Sequence, residues 1–209
     1  MNDIIDFFID PYRDATLFNI LLEIVAVISG VLSVWYAKKE SIWVYPTGII
    51  STTIYVYICY QFTLYGDLII NIYYTLMSIY GWYMWAKLID DHHIEITRTN
   101  KSDKLKAIGI FVFTAAFVVA VYLYFNRFDR ITDYFDTLTT GVFFAAMWLM
   151  ANKKIEHWTL WIIGNIISVP LYFIKGLGFS GIQFTIFLVL AYLGYKSWRK
   201  TLDKKTSTL

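Results

Sequence analysis

Apolar residues in this chain are gathered into seven long runs, and the short polar segments between them hold most of the charges. A helix needs about 20 residues to cross the hydrocarbon core of a bilayer, and each run approaches that length. The runs are continuous and do not alternate, which favours helices over the strands of a membrane barrel. We therefore predict an all-α integral membrane protein. Its seven transmembrane helices are predicted at residues 17–37, 42–60, 68–86, 105–125, 131–151, 158–174 and 177–195.

The composition also indicates a membrane protein. The 209 residues are 58% hydrophobic and 16% charged, whereas about a quarter of the residues in a soluble domain are charged. The acidic start, MNDIIDFFIDPYRD, lacks a basic region, so we expect no cleavable signal peptide. The single cysteine, Cys59, lies within an apolar run, which excludes a disulfide framework. We expect a single membrane domain over residues 1–209, surrounded by the lipid bilayer.

Lysines and arginines are concentrated on one side of the predicted membrane domain. Of the 18 in the chain, four lie on the side of the N-terminus and fourteen lie on the side of the C-terminal tail. Loops rich in lysine and arginine stay in the cytoplasm. The bias therefore predicts a cytoplasmic C-terminus and an external N-terminus, which agrees with an odd number of spans.

An internal repeat relates the two halves of the chain, at an offset of 115 residues that becomes 113 near the ends. Residues 17–88 form the first three-helix repeat, residues 105–125 a connecting helix, and residues 131–198 the second repeat. Four spans separate matched positions, so the two halves run in parallel. Parallel repeats occur in transporters whose substrate site lies near the middle of the membrane. The matched pairs are Lys38/Lys153, Lys39/Lys154, Trp43/Trp158, Tyr57/Tyr172, Gly66/Gly181, Glu23/Asp136, Gly81/Gly194 and Trp85/Trp198.

Two carboxylates, Glu23 and Asp136, stand at matched places in the first and fifth spans. A charge in the bilayer is costly, so it normally faces the interior of the helix bundle or water. These residues are candidates for a transport pathway or for proton coupling, and the alternative is a structural hydrogen bond between helices. Asp133 lies nearer the start of its span, where a helix cap is expected.

Three amides within the spans, Asn71, Asn165 and Gln183, need hydrogen-bond partners in a lipid environment. An amide offers a donor and an acceptor together, which suits a ligand amide or ribose hydroxyls. The alternative is a hydrogen bond between helices. Trp158 and Trp161 are three residues apart, and Asn165 lies one turn deeper. Such a face could stack a flat ring and bind its polar edge, so this part of the sixth span is the sharper candidate for a site.

The segment IYGWYMW, at residues 79–85, is rich in aromatic residues and ends beside Lys87. We predict that Tyr83 and Trp85 belong to the aromatic belt at the membrane surface. Gly81 would let a neighbouring helix approach closely. Trp82 is a candidate ligand contact, while the Ser78 hydroxyl could instead bond back to its own helix.

No sequence motif indicates catalysis or a cofactor. The segment DDHHIE, at residues 90–95, could suggest a metal site, but it has no matching cluster elsewhere and fits a solvated loop. Glycine-rich phosphate loops and nucleotide-hydrolysis motifs do not occur. We expect no enzyme activity, no cofactor, no metal and no nucleic acid partner, and no transport driven by the chain's own hydrolysis of ATP.

Two segments carry a resemblance to a known family: LYGDLIINIYYTLMSIYGWYMW, residues 64–85, and EHWTLWIIGNIISVPLYFIKGLGFSGIQF, residues 156–184. Together with YFDTLTTG, residues 134–141, they resemble the PnuC family of bacterial vitamin transporters. The resemblance implies a three-plus-one-plus-three fold similar to the SWEET sugar facilitators, in the bacterial cytoplasmic (inner) membrane. It also implies facilitated uptake of nicotinamide riboside, with trapping through phosphorylation by a cytoplasmic kinase. The substrate site it implies comprises Trp161, Asn165, Gln183, Asn71, Tyr74, Ser78 and Trp82.

The resemblance leaves the substrate open, because the family also includes transporters of thiamine and of other B vitamins. Thiamine is likewise a flat cation that aromatic walls would attract. A seven-helix retinal receptor is a further alternative, but it needs a buried lysine in the last span, and Lys196 lies at the cytoplasmic end. The sequence is compatible with a homo-oligomer and with a single chain, and both alternatives stay open.

Overall fold

Seven helices make up the part of the chain that the structure describes. The computed structural model describes residues 16–62, 65–89, 92–124, 130–175 and 178–206. Between the third and fourth helices, two short antiparallel strands pair, β1 (Leu88–Ile89) and β2 (His92–His93). The helices are α1 (Leu17–Lys38), α2 (Val44–Gln61), α3 (Tyr65–Ala86), α4 (Lys101–Tyr124), α5 (Ile131–Ala151), α6 (Glu156–Ile174) and α7 (Gly178–Thr206).

The helices follow the predicted order, and most of their bounds lie within about three residues of the predicted ones, but α4 and α7 differ by more. Helix α4 begins before residue 105 because Asn100 and Asp103 cap it: each side chain accepts a hydrogen bond from the other's backbone N–H, at 2.8 and 3.1 Å. Helix α7 continues past residue 195 to Thr206. Its extension is stabilised by Trp198 and Leu202, which lie one turn apart and pack into the same core. The predicted end points Phe125 and Leu177 lie outside the described residues.

The outer surface of the bundle is apolar. Leu105 and Phe113 of α4, for example, are 72% and 75% exposed, which is expected of side chains that face lipid rather than water. By length and composition, α1, α4, α6 and α7 are each apolar enough to cross a membrane. The other three helices carry more threonine, tyrosine and acidic residues, many of which face inward.

Six of the helices form a closed ring. Helices α1, α2 and α3 pack in succession, α5, α6 and α7 do the same, and contacts of α3 with α5 and of α7 with α1 close the ring. Half a turn around this ring exchanges α1 with α5, α2 with α6 and α3 with α7. Helix α4 packs on α5. The arrangement places α2 and α6 across the centre of the ring from each other.

Two hydrogen bonds repeat this two-fold relation between the halves. The indole Nε1 of Trp85, at the end of α3, donates to the carbonyl oxygen of Met150 in α5 at 3.2 Å. The indole Nε1 of Trp198, in α7, donates to the carbonyl oxygen of Ala37 in α1 at 2.9 Å. Donor and acceptor are both displaced by 113 positions between the two bonds. Each half therefore binds the other through the same contact.

The turns between α1 and α2 and between α5 and α6 are also equivalent. Glu40 and Lys153 are the described non-glycine residues with positive φ, at 55° and 48°. The N–H of Ser41 donates to the carbonyl of Tyr36, and the N–H of Lys154 donates to the carbonyl of Leu149. Both features repeat at an offset of 113, so the predicted offset of 115 is wrong in this region. The alignment by residue type paired Lys38 with Lys153 and Lys39 with Lys154. The structurally equivalent positions in the second half lie two residues earlier in the chain than this pairing implies.

Large aromatic rings fill the core at one end of the ring of helices, where α1, α3, α5 and α7 finish; we call this the lysine-rich end. Trp198 lies 6.1 Å from Trp85 and 5.8 Å from Trp158, measured between ring centroids. Tyr45 contacts Trp85 edge-on at 5.1 Å. We call these four residues the aromatic plug. Trp85 is only 3% exposed, so its predicted place in a membrane-surface belt is wrong, whereas Tyr83 is exposed.

The loop before α4 is attached to the second half at this same end. Thr97 donates its N–H to the carbonyl of Lys153 and accepts from the N–H of Ile155, at 3.1 and 3.0 Å. The Lys154 ammonium lies 3.0 Å from the Asp103 carboxylate.

Burial lowers the pKa of Lys153, and the neighbouring Glu40 carboxylate partly opposes that shift. Of the segment DDHHIE, Asp90 and Asp91 lie outside the described residues.

Substitution of Gly81 tests the close packing of α3 against Tyr45 of the plug. A Cβ there would lie 2.3 Å from the ring of Tyr45, so Gly81→Ala should lower the free energy of unfolding by about 1–3 kcal/mol. Gly109→Ala is the matched control, since a Cβ there meets nothing within 4 Å. Thermal unfolding of the purified protein in detergent measures both. Equal melting temperatures for the two variants would contradict the packing described here.

Candidate functional site

A cavity of about 780 Å³ lies at the centre of the ring, and all seven helices contribute to its lining. At one end it reaches exposed residues such as Asp67 and Phe179; we call this the lysine-poor end. At the other end its lining includes Trp158 of the aromatic plug and Met150, which packs in the same core. Its size is in the range of pockets that enclose a small organic molecule. The cavity is thus closed by the plug at one end and extends towards the opposite membrane face.

Aromatic rings form one wall of the cavity. The rings of Phe143 and Trp161 are stacked, with centroids 5.0 Å apart and planes inclined by 26°. Phe184 lies nearly parallel to Phe143 at 6.1 Å, and Tyr74 lies 6.5 Å from Trp161. Gly164 permits this arrangement, because a Cβ at that position would lie 2.1 Å from the ring of Phe143. A flat ligand can stack against such a wall, and a flat cation is attracted to it.

Asn165 and Ser168 of α6 bring unpaired polar atoms to this wall. Each residue is 1% exposed and lines the cavity. Neither amide atom of Asn165 nor the hydroxyl of Ser168 has a hydrogen-bond partner among the described residues, and the same holds for Nε1 of Trp158. Buried polar groups without partners are unfavourable and rare in folded proteins. A polar ligand bound in the cavity would supply the missing hydrogen-bond partners.

The other predicted amides also line the cavity. Gln183 of α7 lies close enough to Tyr55 of α2 for the two side chains to interact, so this pair lies between the halves. Asn71 donates from Nδ2 to the carbonyl of Asp67 in its own helix at 2.8 Å, which is the structural alternative for that part of its amide. The Asn71 amide can meet a ligand only with the groups that this bond leaves over, or by exchanging it.

Small hydroxyl side chains lie on the wall formed by the first half. Ser51 and Ser78 are buried and line the cavity. The close approach of α2 and α3 at Gly48 brings Ser78 inward: a Cβ on Gly48 would lie 3.5 Å from the Ser78 hydroxyl. Thr52, by contrast, is paired with Thr75 at 2.7 Å between hydroxyl oxygens. This wall therefore offers hydroxyls opposite the rings and the Asn165 amide.

One predicted ligand contact lies elsewhere. Trp82 is 42% exposed and does not line the cavity. Helix α3 turns Tyr74 and Ser78 towards the cavity, and Trp82, one turn further on, lies outside it. The structure thus brings six of the seven predicted binding residues into one cavity and leaves Trp82 out. Their roles in binding stay predictions.

Charged groups gather towards the lysine-poor end. Glu23, Asp67, Asp136 and Lys175 all line the cavity. Lys175 donates from Nζ to the carboxylate of Asp136 in an ion pair, so Asp136 makes the interhelical contact that was the structural alternative. Asp133 caps α5 as predicted: its carboxylate accepts from the N–H of Arg130 at 2.9 Å.

Several lining residues were not among the predicted site residues. Phe143 stacks on Trp161, yet nothing in the sequence distinguishes it from other phenylalanines that face lipid. Asp67 precedes the predicted third span and was assigned to a loop. Ser168 lies three residues from Asn165, which places both on one face of α6. That spacing was the available signal.

Within the described residues, no group of three or more histidine, cysteine, aspartate or glutamate side chains is placed to hold a metal ion. The site combines stacked rings, unpaired amide and hydroxyl groups, and carboxylates at one end. These features serve reversible binding of a small molecule inside a membrane-embedded ring of helices. That combination defines the class: a multi-pass membrane protein with a central substrate cavity, as transporters have.

Comparison with known proteins identifies the family. Residues 20–200 match the family model described as Nicotinamide mononucleotide transporter, and the chain belongs to this family. The predicted membership in the PnuC family is thus confirmed. The protein is a multi-pass membrane transporter of a small-molecule substrate and not an enzyme.

Individual relatives agree with this assignment. The chain is 25% identical to the nicotinamide riboside transporter PnuC of Escherichia coli (strain K12), covering 85% of this chain and 84% of the relative. It is 29% identical to PnuC of Neisseria mucosa, covering 86% and 72%. It is 24% identical to the riboflavin/roseoflavin transporter RibM of Streptomyces davaonensis, covering 84% and 83%.

A solved crystal structure of the vitamin B3 transporter PnuC has the same fold. The similarity has a TM-score of 0.67 at 24% sequence identity, and it covers 88% of this chain and 83% of that one. The predicted all-α, seven-helix membrane fold is confirmed.

The unpaired amide of Asn165 leads to a prediction about stability. Replacing Asn165 with leucine removes two buried polar atoms without partners, so in the absence of ligand Asn165→Leu should unfold at the same or a higher temperature, with a gain of up to about 1–3 kcal/mol. Asn152→Leu is the control, because Asn152 donates from Nδ2 to the carbonyl of Trp148 at 2.8 Å, and its loss should destabilise. A marked loss of stability in Asn165→Leu alone would show that its amide is satisfied within the protein.

Proposed function

We propose that this protein mediates facilitated uptake of nicotinamide riboside. The observation that carries the proposal is the unpaired, buried amide of Asn165 beside the stacked rings of Phe143 and Trp161. Nicotinamide riboside is a flat pyridinium cation with a carboxamide at its edge. The rings suit its flat, positively charged face, and the Asn165 amide can donate to and accept from the carboxamide. Two relatives are named nicotinamide riboside transporters, and the solved structure with the same fold is named a vitamin B3 transporter, which supports this class of substrate.

The ribose of this ligand has a natural place on the remaining walls. Ser78 on α3 and Gln183 on α7 line the same cavity, and Tyr74 and Asn71 lie one and two turns from Ser78 on α3. Hydroxyl and amide side chains exchange hydrogen bonds with sugar hydroxyls at little net cost. In this pose the ring lies against the second half and the sugar lies between the halves.

We propose passive alternating access as the mechanism. Residues 17–88 and 131–198 would act as two units that rock about the cavity, with residues 105–125 as the connection. The repeated contacts of α1 with α7 and of α3 with α5 provide the surfaces on which such units could move. Glu23 and Asp136 line the cavity, and Asp136 is held in an ion pair with Lys175. A proton-coupled role for Asp136 would require that pair to open.

The direction of transport depends on the orientation of the protein in the membrane and on the phosphorylation of the transported nucleoside. The lysine-rich end is proposed to face the cytoplasm of a bacterium, with the protein in the inner membrane, the C-terminus inside and the N-terminus outside. The cavity, which extends towards the lysine-poor end, would then accept substrate from outside. A cytoplasmic kinase would phosphorylate the nucleoside and so keep the free concentration low. One chain encloses the cavity, so the proposal needs no homo-oligomer.

Riboflavin is a second candidate substrate, favoured by the similarity to a riboflavin/roseoflavin transporter. A cavity of about 780 Å³ has room for a larger ring system. Thiamine is the predicted alternative that suits the same aromatic wall as a cation. Binding of the three vitamins separates these candidates.

Ligand binding to the purified protein tests the proposal through Trp161 and Asn165. Trp161→Ala removes a stacking ring, and Asn165→Leu removes the amide, so each should weaken nicotinamide riboside binding by about tenfold or more, as is typical for loss of a buried hydrogen bond or ring contact. Calorimetry or tryptophan fluorescence measures the dissociation constants.

Trp82→Ala is the matched control, since Trp82 lies outside the cavity, and its affinity should match that of the unaltered protein. If nicotinamide riboside, thiamine and riboflavin all fail to bind the unaltered protein, the vitamin assignment is wrong. If Trp82→Ala alone weakens binding, the site lies elsewhere.

A further inference from the structure

Helix α7 carries an exposed stripe that changes from apolar to basic along its length. The residues of the stripe are spaced alternately by four and three positions, so they lie on one face of the helix. They are Ile182, Ile186, Val189, Leu193, Lys196 and Lys200. The four apolar side chains are 37–54% exposed, as expected of residues that face lipid. The same face therefore leads from the hydrocarbon region of the bilayer to charged groups at the lysine-rich end.

The basic part of the stripe borders a surface groove of about 420 Å³. The residues that line the groove are Tyr192, Tyr195, Lys196, Arg199, Lys200 and Asp203. Three cations against one carboxylate give the groove a net positive charge. Arg199 lies 3.9 Å from Asp203 and both side chains are exposed, so this pair is weak and the guanidinium can turn to another anion. Lys196 and Lys200 form no ion pair within the part of the chain that the structure describes.

The opposite face of the same helical turns is packed into the protein. Trp198 is buried in the aromatic plug and donates to the carbonyl of Ala37. Leu202 packs against the same core, and the Thr201 hydroxyl donates to the Glu40 carboxylate at 3.2 Å. These contacts keep the last turns of α7 in place, so the basic side chains on the outer face have a defined spacing.

Two tyrosines indicate the depth of the groove in the membrane. Tyr192 is 50% exposed, and Tyr195 is partly buried beside Lys196. Tyrosine rings favour the headgroup level of a bilayer, where the apolar ring and the polar hydroxyl are both accommodated. The Lys196 ammonium lies 4.8 Å from the centroid of the Tyr192 ring. The cations of the groove are thus expected at the level of the lipid phosphates.

We propose that this groove binds the phosphate headgroup of an anionic phospholipid, whose acyl chains lie along the apolar part of the stripe. The lysine ammonium groups and the Arg199 guanidinium supply charged donors for a phosphate. A zwitterionic headgroup carries its own cation and gains less from them. The lipid lies outside the central cavity, so the inference goes beyond the proposed function. Its binding would stabilise the end of α7, which carries Trp198 of the aromatic plug.

Lipid titrations of the purified protein in detergent test the proposal. Native mass spectrometry measures the dissociation constants of phosphatidylglycerol and of phosphatidylcholine with the same acyl chains. The unaltered protein should prefer phosphatidylglycerol by about tenfold or more, because each lysine or arginine near an anionic headgroup contributes about fivefold. The triple variant Lys196→Gln/Arg199→Gln/Lys200→Gln should lose most of this preference. Lys196→Gln/Lys200→Gln leaves the pair of Arg199 with Asp203 intact and is the second variant in case the triple variant does not fold.

Lys101→Gln/Lys104→Gln/Lys106→Gln is the charge-matched control. These three lysines are exposed at the start of α4, at the same end of the protein, but their spacing spreads them around the helix. The control should keep the preference of the unaltered protein. An equal fall in the control would show a general effect of surface charge, and an unaltered protein without a preference would also overturn the proposal. Inorganic phosphate should not displace the lipid at equal concentration; if it does, the groove binds soluble phosphate instead.

Discussion

The indole–carbonyl hydrogen bonds between the halves determine much of this structure. Trp198 donates to Ala37 at 2.9 Å and Trp85 donates to Met150 at 3.2 Å, so each half supplies one donor and one acceptor. In a bilayer, an indole N–H without a partner would cost several times what the bond contributes in water. The two bonds fix the large rings of the plug side by side, and the plug closes the cavity at the lysine-rich end. The cavity can then extend only towards the other face.

The contacts of the connecting helix, α4, attach it to the second half of the protein. Helix α4 packs on α5, and the loop before it is bonded to the turn between α5 and α6 through Thr97. The ion pair of Lys154 with Asp103 adds a side-chain contact at 3.0 Å. A movement of the second half relative to the first would therefore carry α4 with it. The connection that must bend is the segment between α3 and the docked loop.

Much of the fold could be predicted from the sequence, because lipid imposes long apolar runs and sorts lysine and arginine to one side. The repeat was visible as well, but its register was not. Lys38 and Lys39 align with Lys153 and Lys154 by residue type, whereas the strained turn residues Glu40 and Lys153 are the structural equivalents. Residue type alone cannot show a backbone conformation. The long end of α7 was missed for a similar reason, since Trp198 and Leu202 sit within a polar run.

The site was predictable where polar atoms stand in an apolar helix, and not elsewhere. Asn165 and Trp161 stood out by their spacing, and both line the cavity. Phe143 could not be found, since a ring that faces a ligand and one that faces lipid have the same sequence signal. The same ambiguity explains why Trp82 was predicted to contact the ligand although it lies outside the cavity. Helical periodicity shows which residues share a face, but in a membrane both the inner and the outer face of a helix are apolar. Only polar residues on the same face distinguish an inner face from one that contacts lipid.

The most direct test of the central claim is a structure of the protein with nicotinamide riboside bound. The account predicts density for the flat ring against Trp161 and Phe143, with its carboxamide within hydrogen-bond distance of Asn165. Density for the ligand outside the central cavity, or a cavity that stays empty at saturating ligand, would contradict it.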